Sequence, residues 1–150
     1  RLGEAKFYVK GLSYGPFAPN SAGRPFASVD QTTADFRQIR ALGANTVRVY
    51  NAPDRWFLDL ADAHDLKVWV DIVWPQHVCF LESGETMRQA RAAVAEAVRA
   101  CAGHPAVFAF NIGNEIPADV VRWTGPKKAA DFLRLILLAG SFFEAPDQQH

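Results

Sequence analysis

The sequence predicts an α/β protein built on a parallel sheet, and two observations carry that reading. Strand-like and helix-like hydrophobic periods alternate four times, giving the order βαβαβαβα. One strand segment, LKVWVDIVW from Leu66 to Trp74, is almost continuously apolar, as a parallel strand buried on both faces must be. Such alternation belongs either to an open doubly wound sheet or to part of a (β/α)8 barrel. A complete barrel takes about 250 residues, so 150 residues and four βα units, taken alone, favour the open sheet.

The elements follow in order. Lys6 to Leu12 is the first strand, with Phe7, Tyr8 and Val9 ahead of Gly11, and a loop rich in Gly, Pro and Asn runs from Tyr14 to about Pro25. Asp30 to Leu42 reads as a helix with Phe36, Ile39 and Leu42 on one face, and Gly43 stands where a left-handed cap would end it. Asn45 to Tyr50 is a β-branched second strand. The second helix, Pro53 to His64, has Pro53 in its first turn and presents Trp56, Phe57, Leu60 and Ala61. Leu66 to Trp74 is the third strand. A third helix, Glu85 to Ala102, carries the stripe Ala90, Val94, Ala97, Val98 and Cys101, and Gly103 and Pro105 stop it. Ala106 to Ile112 is the fourth strand, and a helix from about Pro126 to Leu138 closes the pattern.

Composition narrows the function. With 16 Lys and Arg against 16 Asp and Glu, the chain has no cationic surplus with which to displace counterions, so nucleic acid is not an expected partner. No apolar run approaches the eighteen or so residues of a membrane span, so membrane association is expected only through a fused segment. The residues from Arg1 onward show no charged n-region and no apolar h-region of a signal peptide, and the compartment is left open. Cys79 and Cys101 are read as free thiols, because a core of this size needs no staple. No set of His, Cys and acidic residues has metal-ligand spacing, and no cofactor motif is present, so neither a metal nor a cofactor is expected.

The most specific local signal lies at the end of the fourth strand, Phe110-Asn111-Ile112-Gly113-Asn114-Glu115-Ile116. An acid just past a buried strand, beside a turn-forming Gly and a hydrogen-bonding amide, is placed for general acid/base work, and a carboxyl partly enclosed there can keep its proton near neutral pH. Taken locally, Asn114 and Glu115 fit somewhat better a pair that merely caps the loop or the next element. The other strand ends favour chemistry: Ser13 and Tyr14 follow the first, Arg48, Tyr50 and Asn51 lie on or after the second, and Trp74, Gln76 and His77 lie after the third. Parallel α/β folds place their sites at these ends. Aromatic rings beside hydrogen-bonding side chains suit a sugar, whose ring has apolar faces and a polar rim.

Three segments, Phe7 to Tyr14 (FYVKGLSY), Leu42 to Tyr50 (LGANTVRVY) and Asn111 to Ile116 (NIGNEI), carry a family resemblance. Together they resemble the first half of a clan A glycoside hydrolase barrel. The likeness is to the β-glucanase and β-1,3-glucanosyltransferase type, including bacterial versions fused to a family 2 glycosyltransferase. The resemblance covers about residues 6–138. It implies a (β/α)4 half of a TIM barrel with consecutive strand order 1-2-3-4 and outer helices. It implies Glu115 as general acid/base, Asn114 hydrogen-bonded to the sugar 2-hydroxyl, and Arg48 holding the ionised nucleophile. Tyr14, Tyr50, Trp74 and His77 would line the sugar subsites, and the substrate would be a β-linked glucan or oligosaccharide.

In that family the nucleophilic Glu follows the seventh strand, and no residue of these 150 matches it. Residues 1–138 are therefore read as a partial glycoside hydrolase domain and 139–150 as a divergent tail, and the isolated chain is expected to be inactive. Asp54, Glu82, Glu85 and Asp119 read as surface acids or helix N-terminal charges. Asp71, inside the apolar third strand, reads as a buried structural partner, to Arg48 or a backbone donor. His64 and His104 flank helix ends, where a capping or surface role is expected. An open half-barrel exposes its edges and interior, so a second copy or a missing C-terminal half is the expected partner. The alternative function is a non-catalytic carbohydrate-binding or self-assembling module.

Overall fold

The computed structural model describes residues 6–141. Four parallel strands, β1 (Gly11–Ser13), β2 (Thr46–Val49), β3 (Lys67–Asp71) and β4 (Val107–Asn111), pair in the order 1-2-3-4. Helices α1 (Val29–Ala41), α2 (Arg55–Ala63) and α3 (Gly84–Cys101) connect them, and α4 (Ala118–Thr124) and α5 (Pro126–Ser141) follow β4. Consecutive order with a helix after each strand is the arrangement of a partial (β/α)8 barrel rather than of an open doubly wound sheet, whose strand order reverses at a switch point.

The register sorts side chains between two faces. Val47 and Val49 of β2 and Val68 and Val70 of β3 are fully buried against Phe36 of α1 and Phe57 and Leu58 of α2. A second cluster, with Trp74, Phe80, Val94, Phe132 and Ile136, ties α3 and α5 to the ends of β3 and β4. On the opposite face, Gly11, Ser13, Arg48, Trp69 and Asn111 border a groove of about 480 Å³. β4 carries one extra residue, Phe108, between the pairs Val68↔Val107 and Trp69↔Ala109. That bulge turns the Phe108 ring toward Trp69, 6.3 Å between centroids, and toward Phe7 at 5.2 Å.

Several boundaries differ from expectation. The first strand starts at Gly11, not Lys6, because the Asn45 amide stands in for the ladder: Asn45 Nδ2 donates to Tyr8 O and Asn45 Oδ1 accepts from Lys10 N, both at 2.8 Å. Gly11 allows the close pairing that follows, since a Cβ there would lie 3.1 Å from Thr46 O. Leu42 is the C-cap of α1 and 80% exposed, so the apolar face ends at Ile39, and Gly43 takes the left-handed φ of 82°. Pro53 lies ahead of α2, whose N-cap is Asp54. Leu58, absent from the expected stripe, is one of its buried residues. Helix α4 was not anticipated, being seven residues long and following Pro117 without a periodic stripe. Of the divergent tail, 139–141 continue α5, and 142–150 lie outside the described residues.

Both cysteines are free, Cys101 being buried. His64 is the C-cap of α2 and its Nδ1 lies 2.8 Å from Leu60 O. His104 is buried rather than on the surface: its Nδ1 accepts from Ala106 N at 3.1 Å and its Nε2 meets Asp59 Oδ1 at 3.0 Å. That hydrogen bond, with Arg55 adding, holds the exposed Asp59 carboxyl below its usual range.

Candidate functional site

The alternation of Thr-Val-Arg-Val along β2 sends the valines to the helices and Arg48 to the groove. There Arg48 meets Asp71 of β3. Its Nε donates to Asp71 Oδ1 and Oδ2 at 3.1 and 3.0 Å, and its Nη2 also donates to Oδ2. Asp71 is 3% exposed, a burial that a carboxylate tolerates only when paired and hydrogen-bonded. Asn111, across the ladder on β4, completes its shell through Nδ2 to Asp71 Oδ1 at 3.1 Å. The buried structural role expected of Asp71 is what the strand register delivers. Hydrogen bonding to Asp71 in turn raises the pKa of Arg48 above its already high ordinary value.

Arg48 links this pair to the turn after β4. Its Nη2 donates to Asn114 Oδ1 at 2.5 Å. Its guanidinium stands 5.2 Å from the Tyr50 ring centroid, and the Tyr50 hydroxyl donates to Ser13 Oγ at 3.3 Å. The charge of Glu115 is close enough to contribute, as the smallest of the causes, to raising the Arg48 pKa. Arg48, Tyr50, Asn114 and Glu115 are thus gathered at the C-terminal ends of β2 and β4, where a parallel sheet carries its chemistry.

The turn itself is held tightly. Asn114 N donates to Gln76 Oε1 at 2.9 Å, and Trp74 Nε1 donates to Ile112 O at 2.7 Å. Glu115 follows with φ of 54°, a left-handed conformation that a side chain with a Cβ adopts at a penalty of about 1 kcal/mol. Its carboxyl is exposed to solvent, not enclosed as the sequence suggested.

Two expected subsite residues lie elsewhere. Tyr14 is 7% exposed, with its ring against Phe17, Phe36 and Phe57 and its hydroxyl donating to Asp35 Oδ2 at 2.7 Å. Strand alternation explains the correction: Tyr14 N continues the ladder to Arg48 O, so if Ser13 faces the groove, Tyr14 faces the helices. Burial above all pushes the Tyr14 phenol above its ordinary pKa; the hydrogen bond to the Thr32 hydroxyl opposes it, and the Asp35 carboxylate adds to the rise. Trp74 is 4% exposed, wedged between Phe80 and Phe132, so its ring faces cannot stack on a sugar. His77 is exposed in the loop after β3. Sequence reasoning placed Gln76 among the strand-end groups and Asn111 in the motif but named neither as a site residue; the signal that finds them is their placement beside Asp71 and Asn114 at adjacent strand ends.

The groove between the strands also presents a spare donor, since Trp69 Nε1 is buried with no hydrogen-bond partner among the described residues. A separate groove of about 390 Å³, bordered by Arg24, Asp54, Ile72 and Glu96, lies on the helix side and does not touch Arg48 or Glu115. Among the described residues no group of three His, Cys, Asp or Glu is arranged to hold a metal ion. No helix among them is long and apolar enough to cross a membrane.

No family model matches the chain. In sequence it is similar to the 1,3-beta-glucanosyltransferase gel1 of two strains of Aspergillus fumigatus, 28% identical over 135 residues. That match takes in 85% of this chain but only 28% of the fungal protein. In structure it is similar to a β-glucuronidase from Ruminococcus gnavus, with a TM-score of 0.67 and 17% identity over 91% of this chain and 23% of that one. The β-glucuronidase of Faecalibacterium prausnitzii gives 0.66 and 22% identity, covering 89% of this chain and 22% of that one. A GH2 beta-galacturonidase from Eisenbergiella tayi gives 0.64 and 22%, covering 87% and 23%. The fold is a half-barrel, four βα units of the TIM-barrel type in consecutive order, similar to part of the barrels of these glycoside-hydrolysing relatives. The chain spans about a quarter of the length of these relatives.

Proposed function

We propose that this chain is the acid/base-bearing part of a retaining β-glycoside hydrolase or transglycosylase acting on a β-linked glucan. The observation that carries the reading is the junction of Arg48, Asn114 and Glu115 at the C-terminal ends of β2 and β4. Similarity to a 1,3-beta-glucanosyltransferase supports a β-1,3-linked glucose chain as the substrate.

In this mechanism Glu115 protonates the oxygen of the leaving sugar while a second carboxylate attacks the anomeric carbon and forms a covalent glycosyl-enzyme. Glu115 then takes a proton from the water or sugar hydroxyl that resolves it. The two carboxyl groups must lie about 5 to 5.5 Å apart. Asn114 hydrogen-bonds the sugar 2-hydroxyl, an interaction that strengthens as charge develops on the ring. Arg48, already oriented by Asp71, keeps the incoming nucleophile ionised. Tyr50 and His77 line the sugar path.

The nucleophile has no match among these 150 residues, and the chain alone is therefore inactive in this reading. Assay of an aryl β-glucoside and of laminarin with the purified chain tests it. Turnover that Glu115→Gln abolishes would overturn the proposed inactivity. Titration with laminaritriose, followed by NMR, should shift the amides of Asn114 and Glu115, and an unshifted spectrum at millimolar sugar removes the glycosidase reading.

A second reading, a self-assembling half-barrel, is favoured by the uncovered groove face, where Phe7, Trp69 and Phe108 cluster beside an unpartnered indole N–H. Its occupant would be a second copy of the chain. A monomer by sedimentation at 100-fold dilution and at high micromolar concentration alike removes it.

A further inference from the structure

Beyond β4, three hydrogen bonds carry the pairing with the β3 side past the end of the sheet. Ile72 N donates to Asn111 O at 2.9 Å, which is still a ladder bond. The next two are made by side chains: Trp74 Nε1 to Ile112 O at 2.7 Å, and Asn114 N to Gln76 Oε1 at 2.9 Å. Between them the chain reverses at Pro75, with Gln76 N donating to Trp74 O at 2.7 Å, a three-residue turn that aims Gln76 back across the gap.

Both side chains are fixed. Gln76 is 6% exposed, and the Trp74 indole is held edge-on against Phe80 at 5.1 Å and Phe132 at 6.2 Å between centroids. Ring packing alone does not need the indole N–H, and a buried glutamine needs a partner but not this one. What these two bonds have in common is their target, the backbone of Ile112 to Asn114, immediately before the left-handed Glu115. A residue held in a sparsely populated conformation persists where its surroundings over-determine it.

We propose that Trp74 and Gln76 are positioning residues: together they clamp the turn after β4 and so set the orientation of the Asn114 amide toward Arg48 and of the Glu115 carboxyl. Their part in glycosyl transfer rests on the reading of Glu115 as acid/base, whereas the clamp itself stands or falls on backbone measurements. Trp74 then belongs to the site through its N–H, not through a sugar-stacking face.

The test is amide exchange and carbon chemical shifts on the 15N,13C-labelled chain, with laminaritriose binding measured in parallel. Gln76→Leu should speed exchange of the Asn114 amide roughly tenfold, the equivalent of one hydrogen bond. It should also erase the left-handed signature in the Glu115 Cα and Cβ shifts. Gln76→Glu keeps the acceptor and, read at a pH low enough for the buried carboxyl to stay neutral, should restore both. Trp74→Phe, which keeps the ring, should move the Ile112 to Glu115 resonances and leave those of Phe80 and Phe132 largely in place. Unchanged Asn114 exchange and Glu115 shifts in Gln76→Leu would overturn the proposal. So would acceleration spread evenly over α3 and β4, the mark of plain packing. If the backbone responds as expected but neither native nor variant chain binds laminaritriose, the glycosidase reading fails and the clamp does not.

Discussion

Val47 and Arg48 are neighbours on β2, yet they answer to opposite demands. Val47 is fully buried against the helices, while Arg48 faces the groove and binds Asp71 and Asn114. The same division holds on β3, where Val70 packs outward and Asp71 turns inward. On the outer face stability comes from apolar area removed from water, and any well-fitting hydrophobe serves. On the groove face a charge has been buried and compensated by an arginine and an amide, an arrangement that a hydrophobic pair would often match in stability. Its place at the C-terminal ends of the strands is therefore better explained by the orientation it gives Arg48 than by the energy it contributes.

Cutting into each face should separate the two. Phe57 is fully buried, with the rings of Tyr14, Phe26, Phe36 and Trp56 around it. Phe57→Ala should destabilise the chain by about 3 to 5 kcal/mol in urea unfolding. Trp69→Ala removes a larger ring from the groove face and should be milder, about 1 to 2 kcal/mol, since that ring is only partly covered. Equal losses would mean that the groove face is a core like the other.

Asp71→Ala comes next. It leaves Arg48 without its carboxylate, but the arginine side chain is one-third exposed and can draw on water, so a loss of about 2 kcal/mol is expected rather than the full penalty of a stranded charge. The amide resonance of Asn114 should broaden or shift in the same variant. A stable Asp71→Ala chain with an unmoved Asn114 would detach the ion pair from the turn.

Alkaline pH probes the outer face through Cys101, whose thiol burial pushes up to about 11 from an ordinary value of 9.0. The unfolded thiol ionises first. Stability from this group is therefore intact below pH 9 and falls as pH rises toward 11, by on the order of 2 kcal/mol. Cys101→Ser should flatten that part of the curve. In the native state at pH 8, the partly exposed Cys79 should react with a thiol reagent long before Cys101.

Tyr14→Phe removes a buried hydroxyl that donates to Asp35 and should destabilise by about 1 kcal/mol without altering laminaritriose titration. An altered titration would return Tyr14 to the site. This residue shows how far the sequence could be read. The strands and helices were legible because valine-rich runs and helical stripes report burial directly. The Arg48–Asp71 pair was legible because a carboxylate inside an apolar strand must find a cation or a donor. Tyr14 and Trp74 were placed by residue type, and type does not say which face a strand end presents; one further step of alternation from Ser13 sends Tyr14 outward. The exposure of Glu115 was not legible at all, since it depends on what stands opposite the turn and not on the turn.

The smallest effect compares two residues with the same backbone strain. Asp65, after α2, and Glu115 have φ of 52° and 54° and are the non-glycine residues with positive φ among those described. Asp65 sits in the loop between α2 and β3, where its N–H donates to Asp62 O at 3.0 Å. A glycine there relieves the left-handed penalty but frees the unfolded chain, so Asp65→Gly should stabilise by only about 0.5 kcal/mol. Glu115→Gly should give a similar small gain in urea and Tm while removing the carboxyl that the proposed chemistry depends on. A chain that is steadier without Glu115, yet no longer shifts at Asn114 with laminaritriose, would show the strain to be tolerated for binding. If Glu115→Gly instead destabilises the fold, the carboxylate has a structural partner, and its assignment as a free acid/base is lost.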